Sequence, residues 1–158
     1  MILEPLTTPR LTLTPISTEL ARRIVAGDLS GVRAAPGWPH ADTMDGLLMS
    51  VEHGHPSGWF VIHEGAVIGD CGLYGPPDPD GNVEIGYGLA EGWRGRGLGT
   101  DVVRALADWL EVQPGVSAVR AHTLPGNLAS RRVLQKAGFR ELRVEHGEVL
   151  YERCSPPG

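Results

Sequence analysis

The chain is predicted to fold as an α+β (mixed α/β) domain, one central mixed sheet of about seven strands flanked by about four helices. Three observations carry that expectation. Strand and helix signals follow one another in the order β-α-α-β-β-β-α-β-α-β-β. The segment "GWFVIHEGAVIGDCGLY" holds two β-rich runs joined at Glu64-Gly65, which is the pattern of a hairpin. From about Leu98 to Val112 the residues Leu98, Val102, Leu106 and Leu110 recur every four positions, with Ala105 and Trp109 widening the apolar stripe of a helix.

The remaining elements follow in chain order. "RLTLTPI" alternates Leu11 and Leu13 with polar neighbours and reads as a first strand ended near Pro15. A short helix is expected from Thr18 to about Ala26 with Thr18 as N-cap, and another from about Asp42 to Val51 after the broken loop "GVRAAPGWPH". "GPPDPDGN" is a turn cluster before the strand "VEIGYGL", and "VSAVRAHT" is a later strand. "NLASRRVLQKAGF" is a helix with Asn127 capping its start and Gly138 stopping it. "FRELRV" and "EVLYER" close the chain as a hairpin around "EHG".

The 158 residues suit a single domain, 1–158, and 41% hydrophobic with 21% charged residues is a globular composition. A net charge of −5 argues against nucleic acid and is compatible with an amine-bearing partner. Two cysteines, Cys71 and Cys154, have no metal-ligand spacing, and the six histidines form no HxH or HExxH pattern, so no metal is expected. "MILEPLTTPR" does not resemble a signal peptide and no apolar run has membrane-spanning length. The expectation is a cytoplasmic protein; the oligomeric state, a homodimer included, is left open.

The chemistry is concentrated in "EIGYGLAEGWRGRGLGT". Strand alternation places Ile85, Tyr87 and Leu89 on one face, read as the core face. Glu84, Gly86 and Gly88 share the other, so a single carboxylate lies beside bare backbone where an amide-bearing ligand could pair. Gly92 to Gly99 then hold four glycines and two arginines in eight residues. Gly95, Gly97 and Gly99 allow successive N–H groups to converge, and the helix behind them adds unpaired amides and a positive dipole end. Arg94 and Arg96 add cationic donors, so a pyrophosphate is the natural guest. The Walker pattern is absent and GxGxxG fails at Thr100. A flexible glycine turn that binds nothing is the competing reading.

These residues resemble the GNAT superfamily of acetyl-CoA-dependent N-acetyltransferases. Arg94, Gly97 and Gly99 match its [QR]-x-x-G-x-[GA] pattern, and Asn127, Ser130, Gly138 and Phe139 match its later N-x-x-[SA]…G-F segment. The resemblance covers about Val83 to Phe139 well. "TPRLTLTPI" and "EIGYGL" further resemble the Rim-like branch, which includes ribosomal-protein N-terminal acetyltransferases. The resemblance implies a single GNAT-like domain acting as an acyltransferase, with acetyl-CoA as acyl-donor co-substrate. By it, backbone at Leu89 and Ala90 meets the pantetheine amides and the thioester. Amides of Gly95, Arg96, Gly97, Leu98, Gly99 and Thr100, with the Arg94 and Arg96 side chains, hold the pyrophosphate, and Asn127 contacts the pantetheine arm.

An amine with a pKa of ~10 must lose a proton before it can attack. Glu84 occupies the position at which many members of the superfamily place a general-base glutamate, and the competing reading is an exposed carboxylate at a strand end. Many relatives carry a proton-donating Tyr where this chain has Leu134. Ser130 is the matching polar group that could hydrogen-bond the departing sulfur, and its hydroxyl could equally bond backbone. A backbone N–H around Leu89 to Ala90 is the expected oxyanion donor.

The resemblance further implies an acceptor cleft formed by "RAAPGWPHADTM", the Glu52–Ser57 loop and the closing hairpin. Trp38, His40 and Trp59 are its candidate wall, while Asp42, Asp45, Glu145 and Glu148 are candidates to attract an ammonium. Glu148 is the alternative base. The acceptor is then a primary amine of a small molecule or a peptide N-terminus, attacking the thioester directly. A non-catalytic acyl-CoA-binding regulatory module on the same fold is the alternative that Leu134 keeps open. A flavin or nicotinamide oxidoreductase is disfavoured by the failed GxGxxG.

Overall fold

The computed structural model describes residues 1–154, the side chain of Ala41 apart; the last four residues of the expected domain lie outside the described residues. The elements are β1 (Leu6–Thr7), β2 (Thr12–Pro15), α1 (Thr18–Val25), α2 (Ala41–His53), β3 (Gly58–His63), β4 (Ala66–Leu73) and β5 (Asn82–Leu89). A 3-10 turn (Glu91–Trp93), α3 (Leu98–Glu111), β6 (Ala118–Thr123), α4 (Leu128–Lys136), β7 (Arg140–Glu145) and β8 (Glu148–Cys154) follow. The strands form one eight-stranded sheet in the order β1-β2-β3-β4-β5-β6-β8-β7. Every neighbouring pair is antiparallel except β5 and β6, which run parallel on either side of the α3 crossover. The mixed α/β class and the four helices agree with the sequence reading. The eighth strand is β1, a two-residue run too short for alternation to reveal it.

Local chemistry explains the element ends. The β3–β4 turn places Glu64 at φ 49° and Gly65 at φ 78°, and the β7–β8 turn places His146 at φ 51° and Gly147 at φ 79°. Two successive residues at positive φ match the twist of the strands they join. Ser17, not Thr18, caps α1: its Oγ accepts from the N–H of Leu20 at 3.1 Å, and Thr18 is the first helical residue. Asn127 caps α4 as expected, its Oδ1 accepting from Ser130 N–H at 3.1 Å, and Gly138 at φ 93° follows that helix.

Helices cover both faces of the sheet, which is why β3 reads as an unbroken apolar run. Trp59 and Val61 point into the core shared with α3, whereas Phe60 between them packs with α1 and α2. Trp59 meets Trp109 of α3 edge to face with ring centroids 5.4 Å apart, and its Nε1 donates to Glu4 O at 2.7 Å. On α3 the buried stripe is Leu98, Val102, Val103, Leu106, Ala107, Trp109 and Leu110, while Ala105 lies at its half-buried margin. Each leucine or valine of the stripe contributes roughly 1.5–3 kcal/mol on burial, which holds α3 against the sheet.

β4 and β5 approach so closely that a Cβ on Gly69 would strike the carbonyl oxygen of Gly88 and lie 3.0 Å from Leu89 Cα. Neither backbone atom can move without shifting β5. Gly69→Ala is therefore expected to lower the free energy of unfolding in urea by about 1–3 kcal/mol, the usual range for overpacking. Gly92→Ala, with nothing within 4 Å of its Cβ, serves as the control. Its change is expected to stay within about 0.5 kcal/mol, as at ordinary surface positions.

Candidate active site

β5 and β6 are paired only at Asn82↔Ala118, Val83↔Val119 and Glu84↔Arg120, and then part. β5 continues to Leu89 with β4 on its other side. Glu84 O accepts from Tyr74 N–H at 2.9 Å and Ala90 N–H donates to Ile68 O at 2.7 Å, so the backbone groups of these positions face β4. Alternation then turns the N–H and C=O of Tyr87 and Leu89 into the opening. The Leu89 carbonyl there accepts from Arg94 Nε at 3.0 Å. Of the two amides expected near a thioester, that of Ala90 is already bonded and that of Leu89 faces the gap.

One mouth of the opening is a groove of about 660 Å³ whose lining includes Tyr87, Leu89, Arg94, Gly97, Gly99 and Thr100. Gly97 at φ 79° is the N-cap of α3, and no side chain bonds the first amides of that helix. A residue with a Cβ would be strained at that φ. Arg132 and Lys136 of α4 line the same groove. Unbonded helix amides with three cationic side chains fit a diphosphate. One expected side chain stands elsewhere, and Leu98, expected only through its amide, turns its side chain inward. Arg96 places its guanidinium 5.9 Å from the Trp93 ring centroid, a cation–π position, and lies outside the groove lining. The Leu98 side chain is buried in the core at 2% exposure, leaving only its backbone to the groove side.

The other mouth is a cleft of about 480 Å³ lined by Asp42, Asp45, Asp70, Glu84 and Glu148, with no lysine or arginine in its wall. Groove and cleft share Asp42, Tyr87, Gly88, Asn127 and Ser130. The bare face expected on β5 is covered. A Cβ on Gly86 would lie 2.7 Å from the Tyr74 hydroxyl, and one on Gly88 would lie 2.8 Å from His40 Cε1. The glycines make room for two side chains, which leaves the edge of β5, and not its face, open. The carboxylates about Tyr74 raise its phenol above the ordinary value, after burial as the larger cause.

Neither expected tryptophan lines this cleft. Trp38 is 5% exposed, stacks edge to face on Phe60 at 5.6 Å and donates from Nε1 to Asp70 Oδ2 at 2.9 Å. Trp59 is wholly buried against Trp109. His40, Asp42, Asp45 and Glu148 do line it. Burial raises the Asp70 carboxyl against the bonds from Thr43 Oγ1, at 2.6 Å, and from Trp38. Burial and the neighbouring Asp70 carboxylate push the Cys71 thiol far up, as befits a buried apolar residue and not a nucleophile. Leu134 is 1% exposed and can donate nothing.

At the fork itself, Glu84 is held by a histidine. His122 Nδ1 lies 3.0 Å from Glu84 Oε1, and its Nε2 lies 2.9 Å from Glu145 Oε1, whose Oε2 accepts from Arg143 Nε at 2.9 Å. Only an imidazolium can donate at both nitrogens. Burial opposes that charge, and the bond to Glu145 with the charge and bond of Glu84 outweigh it, so His122 titrates above its ordinary value. Bonds from His122 and Arg143 hold the Glu145 carboxyl down to about 2. Opposite, the Tyr87 hydroxyl lies 3.1 Å from Ser130 Oγ, so Ser130 bonds a phenol and not backbone. Burial raises that phenol.

A family model described as an acetyltransferase (GNAT) domain matches residues 10–140. The chain belongs to the GNAT acetyltransferase family. An uncharacterized N-acetyltransferase of Bacillus subtilis, YjdG, is 26% identical over 111 residues, 65% of this chain and 66% of that protein. The chain thus spans slightly less than two thirds of that relative. Among solved structures, RimL, a ribosomal L7/L12 α-N-protein acetyltransferase in complex with coenzyme A, superposes with a TM-score of 0.68 at 16% identity. It covers 96% of this chain and 98% of its own. The aminoglycoside acetyltransferase AAC(6')-Ib, in complex with coenzyme A and kanamycin, gives 0.65 at 23% identity, covering 91% and 94%. At these identities the likeness is one of fold. Among the described residues, no helix is long and apolar enough to cross a membrane.

In this GNAT domain sequence reasoning missed Tyr87 and His122 as site residues. Alternation puts Tyr87 on the core face, where its ring does pack, but gives no sign of the partner its hydroxyl finds in Ser130. The strand "AVRAHT" does put His122 on the half-buried face with Arg120, but only the β5–β6 pairing brings it to Glu84. Because His122 titrates above an unfolded histidine, its clamp stabilises fully below about pH 6.5 and is lost as pH rises through the raised value. Urea midpoints measured between about pH 6 and 9 are expected to fall more steeply in the wild type than in His122→Gln. Parallel curves would show that the clamp does not titrate there.

Proposed function

We propose that this protein transfers an acetyl group from acetyl-CoA to a primary amine on a small cationic molecule or at a peptide N-terminus. The observation that carries the reading is the meeting of a cationic groove and an acidic cleft at the unpaired edge of β5. The RimL and AAC(6')-Ib structures hold coenzyme A on this fold, and AAC(6')-Ib also holds kanamycin. The Rim-like branch is supported by one distant neighbour, RimL, beside other members of the family. Five carboxyl groups against the one imidazolium of His122, with no lysine or arginine among the described lining residues, favour an acceptor with several ammonium groups over a neutral one.

In this reading acetyl-CoA is a substrate that supplies an activated acetyl thioester. The amides at the start of α3, with Arg94, hold its diphosphate, and the free edge at Tyr87 pairs with pantetheine amides, leaving the Leu89 N–H for the thioester. Asn127 lines the same passage. Leu89 N–H faces the gap and stabilises negative charge on the thioester oxygen. Glu84 uses Oε1 toward His122 and has Oε2 to draw the ammonium and take its proton, directly or through water. The Tyr87–Ser130 hydroxyl pair, in the lining common to groove and cleft, is the donor this reading assigns to the departing thiolate. A thiol's pKa of ~8.5 makes that modest assistance sufficient, so Leu134 is no obstacle. Glu148, in the acceptor wall, is the alternative base.

A coenzyme-release assay over mono-, di- and polyamines and peptides is expected to give kcat/KM rising with acceptor charge. Glu84→Gln is expected to lower kcat/KM by about 100-fold or more at neutral pH, in the range of lost general-base catalysis, with coenzyme affinity intact. Unchanged turnover in Glu84→Gln from pH 6 to 9 assigns the base elsewhere. Coenzyme binding without release on any amine supports instead the non-catalytic acyl-CoA-binding module. Full kcat in Ser130→Ala removes that hydroxyl from the mechanism.

A further inference from the structure

The cationic groove has an unusual neighbour. Asp101 lies in the first turn of α3, where a carboxylate suits the helix dipole and competes with any anion placed on the same amides. Arg10, 91 residues earlier, meets it: Nε and Nη2 lie 2.9 Å and 2.7 Å from the same Asp101 Oδ2. Nη1 of the same guanidinium donates to Arg96 O at 2.9 Å. One planar group therefore grips the chain on both sides of Gly97. A Cβ on Gly97 would lie 3.2 Å from Arg10 Nη2, so the guanidinium runs alongside the glycine turn. Arg10 lines neither groove nor cleft.

Arg10 is itself held in place. Thr8 Oγ1 accepts from the N–H groups of Arg10 and Leu11 at 3.3 Å and 3.0 Å, closing the turn between β1 and β2. The Arg10 carbonyl lies 3.1 Å from His63 Nδ1 at the end of β3. A sheet-edge hairpin thus carries a guanidinium to the start of a helix on the far side of the chain.

We propose that Arg10 is a positioning residue for the donor loop: it neutralises Asp101 and anchors the Arg96 carbonyl, so the α3 amides receive a diphosphate without a competing carboxylate. The proposal rests on the diphosphate reading of the groove. The Arg10 side chain is 45% exposed, so the ion pair contributes little to folding and the effect falls on ligand affinity. A lysine cannot reproduce it, because an ammonium lacks the fork that serves a carboxylate and a carbonyl together.

The test is calorimetric titration of CoA into wild type, Arg10→Gln, Asp101→Asn and the double variant, with melting temperatures recorded. Arg10→Gln is expected to weaken CoA by about tenfold, on the scale of removing one charge beside an ionic contact, with little change in melting temperature. Acceptor KM and turnover of acetyl-pantetheine, which lacks the diphosphate, are expected to stay near wild type. Asp101→Asn alone stays within about twofold, and added to Arg10→Gln it recovers most of the loss, as coupled neighbours do. A purely structural Arg10 predicts no recovery in the double variant, and that result overturns the proposal, as does wild-type CoA affinity in Arg10→Gln. Hydrogen exchange of the amides at residues 97–101 in the free protein reads the loop independently. Faster exchange in Arg10→Gln supports the anchor, and unaltered exchange overturns it. A wild type that binds no CoA overturns the proposed function and the ligand half of this proposal, leaving the anchor to the exchange result.

Discussion

Two parallel strands that stop pairing after three residues are the constraint on which this molecule is organised. β5 and β6 leave each other after Glu84 and Arg120, which exposes backbone donors and acceptors inside the fold. Unpaired buried peptide groups cost free energy unless something meets them. Arg94 meets one of them, the Leu89 carbonyl. The rest of the edge is closed by nothing in the sheet, and α3 and α4 stand over its mouth without sealing it. A Cβ on Gly99 of α3 would lie 3.5 Å from Val133 of α4, so the two helices meet just behind the opening. The gap is thus both the weakest part of the sheet and the part best suited to an extended amide-bearing ligand.

Charge is sorted about that gap. Arg94, Arg132 and Lys136 lie on the side of the α3 terminus, and Asp42, Asp45, Glu84 and Glu148 lie on the side of α2 and the last hairpin. Asp42 and the shared residues Tyr87, Gly88, Asn127 and Ser130 mark where the two fields meet. Ionic partners keep each field from straying: His122 sits between Glu84 and Glu145, and Arg10 sits on Asp101. Both contacts join residues far apart in sequence, and both place a cation against a carboxylate: Glu84 in the cleft wall, and Asp101 in the first turn of the helix that borders the groove. The protein's net negative charge therefore says little about its donor groove, which is locally positive.

The backbone of the side proposed for the cofactor was legible because its geometry is written in local sequence. Positive φ at Gly97, an N-terminal helix start at Leu98 and the absence of a capping side chain follow from residues adjacent in the chain. The acceptor side was not, because it is assembled from α2, β4, β5, β6 and β8. Trp38 and Trp59 were reasonable candidates for an aromatic wall, yet each found a deeper partner, Phe60 and Trp109, since a large ring contributes more when fully buried. Gly86 and Gly88 were read as bare when Tyr74 and His40 lie over them. An absent side chain cannot indicate whose side chain takes its place.

Local pattern by itself determined the helices, the two tight hairpins, the Asn127 cap and the glycine turn before α3. Each depends on φ preferences, capping or periodicity within about a dozen residues, the range over which such rules act. Tertiary structure alone decided that β5 and β6 part, that Ser130 faces Tyr87, that His122 charges the fork and that Arg10 reaches Asp101. Those are contacts between elements 23 to 91 residues apart. Their distances are set by how the strands pair and how α3 and α4 pack on the sheet, and no rule of local sequence encodes that arrangement.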